Sequence, residues 1–191
     1  MSFTTESRNY RQNTTSYWLW AGLTQSDAPA DSDLYIYQGD IRAWNDRPKY
    51  TRAGLYPHPI KSKKLYLVYR LEGGLPNAEM VVSIFLKTLL TWERHKVDIT
   101  GLQLDFDSPT SKLLIYSDFL KEVRKYLPNN YSLSITGLGD WAIYGDKKIM
   151  KSIISHVDEI IFQLYNGRKA LSNIEFYLSA LKKYPYPFKV G

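Results

Sequence analysis

The chain has 191 residues, 44% apolar and 23% charged, enough for one domain with a full hydrophobic core. Without cysteine it can hold no disulfide, thiolate metal site or cysteine nucleophile. The net charge of +6 is scattered; Lys61, Lys63 and Lys64 form the only dense run, without a nucleic-acid-binding motif, so a solvated basic face and no nucleic-acid partner are expected.

Residues 1–16 are polar and lack the apolar core of a signal peptide, so an extended or disordered N-terminal segment is expected there. No stretch approaches the roughly 18–20 apolar residues that cross a bilayer. The chain as given reads as soluble, cytoplasmic unless a signal was trimmed, with residues 17–191 as its single domain. Short β-rich runs at Tyr17–Leu23 and Leu34–Gln38 come first, joined by a polar stretch, Thr24–Asp33, too short for a crossover helix. Residues 39–63 hold three prolines and no helical stripe. A strand at Leu65–Leu71 leads into a helix from Asn77 to about His95, where Val82, Phe85, Leu89 and Trp92 recur at spacings of three and four. Ile99–Asp107 is the next strand. The following helix, Ser111–Leu127, carries Tyr116, Phe119, Leu120, Val123 and Leu127 and is stopped by Pro128-Asn129-Asn130. After the strand Leu133–Leu138, Asp146 is placed to cap a helix that buries Ile149, Ile153 and His156 or Val157. Beyond the strand Glu159–Tyr165, Ser172-Asn173-Ile174-Glu175 reads as a capping box for a helix burying Ile174, Leu178 and Leu181. Pro187–Val190 is the last strand.

Strands alternating with helices imply crossovers and a parallel sheet. A (β/α) barrel and an open doubly wound sheet both satisfy this, and the lack of a Gly-rich phosphate loop argues against the nucleotide-binding version. Seven strands are one short of a closed eight-stranded barrel. The expected fold is therefore an incomplete parallel barrel of TIM type, whose open edge invites self-association or a companion segment.

Polar and apolar residues alternate in Gly101-Leu102-Gln103-Leu104-Asp105-Phe106-Asp107-Ser108, which places Gln103, Asp105 and Asp107 on one face. In a barrel that face is the interior, and the strand's carboxyl end is where active sites form. Two close acids raise one pKa, as a general acid near neutral pH requires. The structural alternative is a helix cap at Asp107 and a loop contact at Asp105. Two strand–helix units later, Gln163 and Tyr165 share a face ahead of Asn166-Gly167, alternatively a plain strand end with a turn. Arg70 and Glu72 end one strand, Gln38 and Asp40 another, and Asp140 with Trp141 follows a third; an indole there could floor a sugar subsite. The 16 Tyr, 7 Phe and 5 Trp suit a core or a sugar cleft. His58, His95 and His156 are scattered, so no metal site is expected, and without a cofactor fingerprint no cofactor either.

Thr100, Gly101, Gln103, Asp105 and Asp107 stand at the marked positions of Asp-Gly-x-Asp-x-Asp-x-Glu, the signature of the chitinase-type glycoside hydrolases of family 18, which this strand resembles. Gln163-Leu164-Tyr165-Asn166 is similar to that family's Met-x-Tyr-Asp motif. Over residues 17–191 the chain also resembles the bacterial domain-of-unknown-function family 3142, a glycosidase-like barrel group, in its Gln-x-Asp-Phe-Asp strand, Asp140-Trp141 and Gln-x-Tyr-Asn-Gly. The resemblance implies a carbohydrate-active barrel with a glycan or oligosaccharide as partner. Asp107 would be the acid and Asp105 its partner; Gln103, Gln163, Tyr165 and Asn166 would shape the pocket, with Asp140, Trp141, Arg70 and Glu72 in support. Asp107 replaces the longer Glu donor of the family, and Thr100 and Gln103 replace its first two acids. Either a substrate-assisted route or a two-carboxyl route with water is open. A non-catalytic glycan-binding or interaction module is the rival reading.

Overall fold

The computed structural model describes residues 16–20, 30–43, 49–166 and 169–191. In chain order these form β1 (Ser16–Leu19), β2 (Asp33–Arg42), β3 (Lys49–Arg52), β4 (Lys64–Glu72), α1 (Ala78–Arg94), β5 (Gly101–Asp105), α2 (Leu113–Tyr126), β6 (Ser132–Leu138), α3 (Asp140–Tyr144), α4 (Lys147–His156), β7 (Glu159–Gln163), β8 (Tyr165–Asn166), β9 (Lys169–Ala170), α5 (Ile174–Leu181) and β10 (Lys189–Val190). The expectation of a disordered segment before residue 16 lies outside the described residues, as does most of the Thr24–Asp33 connection.

Seven strands pair in parallel in the order β1-β2-β4-β5-β6-β7-β10. Each corresponds to one of the seven runs read from the sequence. The eighth strand, β3, returns antiparallel along β2. Its Lys49-Tyr50-Thr51-Arg52 has no apolar period, because its side chains are mostly exposed, so alternation could not reveal it. Helices fill the parallel connections: α1 between β4 and β5, α2 between β5 and β6, α3 and α4 between β6 and β7, and α5 between β7 and β10.

The main core lies between the sheet and the helices. Leu65, Leu67, Leu102, Leu104, Leu133 and Ile135 pack with Val82, Phe85, Leu89 and Trp92 of α1 and with Tyr116, Phe119, Leu120 and Val123 of α2. Each such aliphatic or Phe side chain contributes about 1.5–3 kcal/mol by leaving water. Asn77 starts α1 by accepting from the Met80 amide (2.9 Å), and Asp146 starts α4 by accepting from the amides of Lys148 (2.8 Å) and Ile149 (3.1 Å). Two expectations need correction. In α4 Met150, not Ile149, joins Ile153 as fully buried, while His156 and Val157 are half-buried. The capping box of α5 does not form: Asn173 precedes the helix without a side-chain bond to it, and only Leu181 is fully buried, with Ile174 and Leu178 partly covered.

The other face of the sheet is concave. There Tyr35, Tyr66, Val68 and Ile161 form a second cluster with Trp18, and the rings of Tyr35 and Tyr66 stack at 4.9 Å. Polar side chains continue the layer in an unbroken chain. The Trp18 indole donates to Gln103 Oε1 (2.7 Å), Gln103 Nε2 to Ser134 Oγ (2.9 Å), and Ser134 Oγ to Glu159 Oε1 (2.9 Å). The same Glu159 oxygen accepts from Tyr35 (2.6 Å). Lys189 on β10 reaches Glu159 (2.7 Å) and Asp33 on β2 (2.9 Å), so the sheet curls until its two ends meet across the interior. Among the described residues β1 has β2 as its only ladder partner, leaving the expected incomplete parallel barrel. A Cβ on Gly191 would lie 2.4 Å from the Trp18 ring, so side-chain packing rather than a ladder occupies the gap.

Alternation in β2 is broken once. The register of β2 against β4 jumps from Tyr37↔Val68 to Gly39↔Tyr69, leaving Gln38 as a bulge. Before it Leu34 and Ile36 face the helices; after it Ile41 does. Gly39 permits the turn in phase, with φ 146° and a Cβ position only 2.2 Å from Thr51 O. The shift returns Asp40 to the concave side, where it accepts from the Tyr37 hydroxyl. Gln38, expected at the active face, instead faces α1, fully buried, and accepts from the Trp92 indole (3.1 Å).

Candidate functional site

β5 ends at Asp105, two residues earlier than alternation suggests. Leu102 and Leu104 belong to the core under the helices, while Gln103 and Asp105 point into the concave interior. Asp105 is 5% exposed, and every donor around it comes from another strand of the sheet. Its Oδ2 accepts from Arg70 Nε on β4 (3.0 Å); its Oδ1 accepts from Thr136 Oγ1 on β6 (2.9 Å) and Gln163 Nε2 on β7 (3.1 Å). The buried carboxyl group is thus fixed by three hydrogen bonds, one of them from a guanidinium. Arg70 is itself braced, its guanidinium 4.9 Å above the Trp20 ring, which in turn packs on Tyr37 at 5.2 Å.

Asp107 differs from the expectation of an interior strand residue. The chain leaves the sheet at Phe106 and turns tightly, the Ser108 amide bonding to Phe106 O (2.8 Å), which puts Asp107 on the wall of a cleft and exposed. The cleft, about 430 Å³, is lined by Arg70, Leu71, Glu72, Asp105, Phe106 and Asp107. Asp107 makes no hydrogen bond or ion pair to another described residue. Partial burial in the cleft raises its carboxyl pKa above the ordinary range, the charge of Asp105 raises it further, and Arg70 opposes both. It is not a helix cap: Pro109 and Lys112 precede the 3₁₀ turn (Thr110–Lys112) and α2, neither with a side-chain cap bond.

The remaining expected site residues divide. Gln163 reaches the acid pair, and the Tyr165 phenol lies beside it; burial, then the charges of Asp105 and Asp107, raise that phenol's pKa. Glu72 lines the cleft but pairs with Arg42 (2.6 Å). Asp140 sits at the same end of the sheet, two residues past Leu138 (the partner of Gln163), and accepts from the Tyr177 hydroxyl (3.0 Å). Two expectations fail. Gln103 is fully buried in the interior chain of hydrogen bonds and has no access to the cleft. Trp141 is 1% exposed, its indole N–H bonded to Ser108 O (2.8 Å) and its ring packed under Gly137, so it offers no face to a sugar. The side chain of Asn166 and the turn after it lie outside the described residues.

Three contributors went unread in the sequence. Thr136 was legible in principle, since Ser134 and Thr136 are the polar positions of a strand whose apolar ones, Leu133 and Ile135, face the helices. Trp20 and Tyr37 gave no signal, because their packing on each other and on Arg70 joins three strand ends that only the fold brings together. Among the described residues no group of three or more His, Asp and Glu side chains could hold a metal, and no helix is long and apolar enough to cross a membrane.

The architecture defines an α/β protein with a curled parallel sheet and an acid-bearing cleft at the carboxyl ends of its central strands. Residues 61–172, which hold Arg70, Asp105, Asp107, Thr136, Gln163 and Tyr165, match the family described as a domain of unknown function (DUF3142), and the chain belongs to that family. No curated protein matches it.

Proposed function

We propose that this protein is a carbohydrate-active barrel of TIM type, a glycoside hydrolase-like protein acting on a β-linked amino-sugar polymer or similar glycan. The observation that carries this reading is the division of labour between two neighbouring acids. Asp105 is buried and fixed by three hydrogen bonds, and Asp107, without an ion pair among the described residues, is a carboxyl with a raised pKa on the wall of the same cleft. Such a pair suits one proton donor and one electrostatic stabiliser. The chitinase-type motif resemblance of the two strand ends supports the same assignment.

Asp107 donates its proton to the glycosidic oxygen as the bond to the anomeric carbon breaks, and the leaving group departs as an alcohol. The positive charge developing on the sugar is stabilised by Asp105. Both Asp105 oxygens already accept hydrogen bonds, which makes that carboxylate a poor nucleophile and a poor base towards water. This favours the substrate-assisted route, in which the sugar's own acetamido oxygen attacks and is later displaced by water. Gln163 and Tyr165 orient that acetamido group, a role supported by the Gln163 bond to Asp105.

The test is turnover of aryl glycosides and chito-oligomers by wild type and Asp107→Asn. Removal of the acid lowers the rate roughly 10²–10⁴-fold. Activity surviving undiminished in the variant removes the assignment. A second reading, a non-catalytic glycan-binding module, is favoured by the short side chain of Asp107 and its place on an exposed turn. Glycan binding without turnover in either protein selects that reading.

A further inference from the structure

An exposed aromatic cluster stands beside the cleft, at the mouth of the sheet. Tyr144 ends α3 and is 65% exposed; Phe176 on α5 is 54% exposed. Between them Tyr177 is fixed in three ways. Its hydroxyl donates to Asp140 (3.0 Å), its ring meets Phe176 edge-on at 5.8 Å, and it covers Gly139 so closely that a Cβ there would lie 2.7 Å from the ring. The Tyr144 phenol lies near enough to act electrostatically on that of Tyr177. The cluster adjoins the turn that carries Asp107: α3, which holds Asp140 and Tyr144, is tied to it by the Trp141 indole donating to Ser108 O (2.8 Å). α5 carries apolar residues on most of its positions, yet only Leu181 is fully buried, so much of its apolar surface remains at this rim.

We infer that Tyr144, Phe176 and Tyr177, with the Asp140 carboxylate, form an extended subsite for a polymeric glycan, gripping sugar units away from the reacting bond. This rests on the glycan reading above and adds that the ligand is a chain, not a mono- or disaccharide. Flat aromatic faces stack on the C–H faces of pyranose rings, and a carboxylate among them accepts from sugar hydroxyls. A protein partner would want a continuous apolar groove; here a carboxylate and two phenols interrupt the patch.

The test is calorimetric titration of wild type and the Tyr144→Ala/Phe176→Ala double variant with chitobiose and chitohexaose. Both side chains are exposed, so the melting temperature should not move. Wild type should bind the hexaose about tenfold tighter than the biose, on the scale of one aromatic contact. The double variant should lose most of that gain while keeping the biose affinity. Comparing the two proteins cancels the statistical advantage of a longer chain. An unchanged gain in the variant, an equal loss for both ligands, or no gain in wild type that binds biose overturns the subsite alone. Failure of wild type to bind these, cello-oligomers or xylo-oligomers overturns the glycan reading and the subsite with it.

Discussion

Asp105 and Asp107 are separated by a single residue and differ in everything that sets a carboxyl's behaviour. Asp105 accepts from three side chains on three strands, so Asp105→Ala strands the buried Thr136 hydroxyl and leaves Gln163 and Arg70 without their acceptor. Urea unfolding should register a loss of about 1–3 kcal/mol. Asp107 is the opposite case. Its raised pKa means that the unfolded chain releases this proton at lower pH than the folded chain does. As pH rises above the ordinary aspartate value, ionisation therefore weighs against the fold; at lower pH the group is protonated in both states and contributes nothing. Asp107→Asn removes that penalty, so its melting temperature should equal wild type in acid and match or slightly exceed it at neutral pH. A variant less stable than wild type at neutral pH would show that Asp107 has a structural role. The position of Asp105 was readable from alternation; the exit of Asp107 from the sheet was not, because the turn at Phe106 depends on contacts such as that of its amide with Thr136 (3.3 Å) on the next strand.

At the scale of elements, helix starts separate signals that the fold uses from those it does not. Asp146 makes two cap bonds to α4, and Asp146→Ala should cost about 1 kcal/mol. Ser172 begins a sequence capping box that α5 does not build, so Ser172→Ala should change thermal unfolding by no more than a few tenths of a kcal/mol. Equal losses for the two variants would contradict this. A capping box needs the chain to enter the helix with extended geometry, and Asn173, at φ −109° and ψ 35°, does not have it. The bulge at Gln38 is a similar case. Periodicity assigns a face only while the register holds, and one skipped residue transfers Asp40 to the mouth, while Gln38 keeps the helix-facing parity of Leu34 and Ile36 and is buried against Trp92.

For the molecule as a whole, Lys189 is the clasp that joins β10 to β2 across the interior. Burial disfavours its ammonium, but the charges and hydrogen bonds of Glu159 and Asp33 outweigh this and raise its pKa. The sign follows from linkage. The stabilisation is fully present below the ordinary lysine value of 10.5 and is lost as pH climbs through the raised folded value. Burial raises the Tyr35 phenol too, which also favours unfolding in alkali, so the comparison must be with a Lys189 variant. Lys189→Met leaves two buried acids without their cation and should cost at most about 3 kcal/mol near neutral pH. The difference from wild type should narrow above pH 10.5. A constant difference across that range would show that Lys189 acts through packing alone.

The sequence by itself determined the seven parallel strands, the faces of α1 and α2, and the strand that carries the acid pair. Each follows from a local period of two or of 3.6 that burial on one side enforces. Only the tertiary structure decided which polar residues reach the cleft. Gln103 and Asp105 share a face and a period, yet one is sealed beneath Trp18 and the other reaches the floor of the cleft, because depth along a strand is set by what the neighbouring strands bring alongside. Trp141 followed a strand as a binding residue would, and the fold buried it under Gly137. The curl that lets Lys189 meet Asp33, 156 positions earlier in the chain, is likewise absent from any local pattern, since it comes from twist accumulated over seven strands.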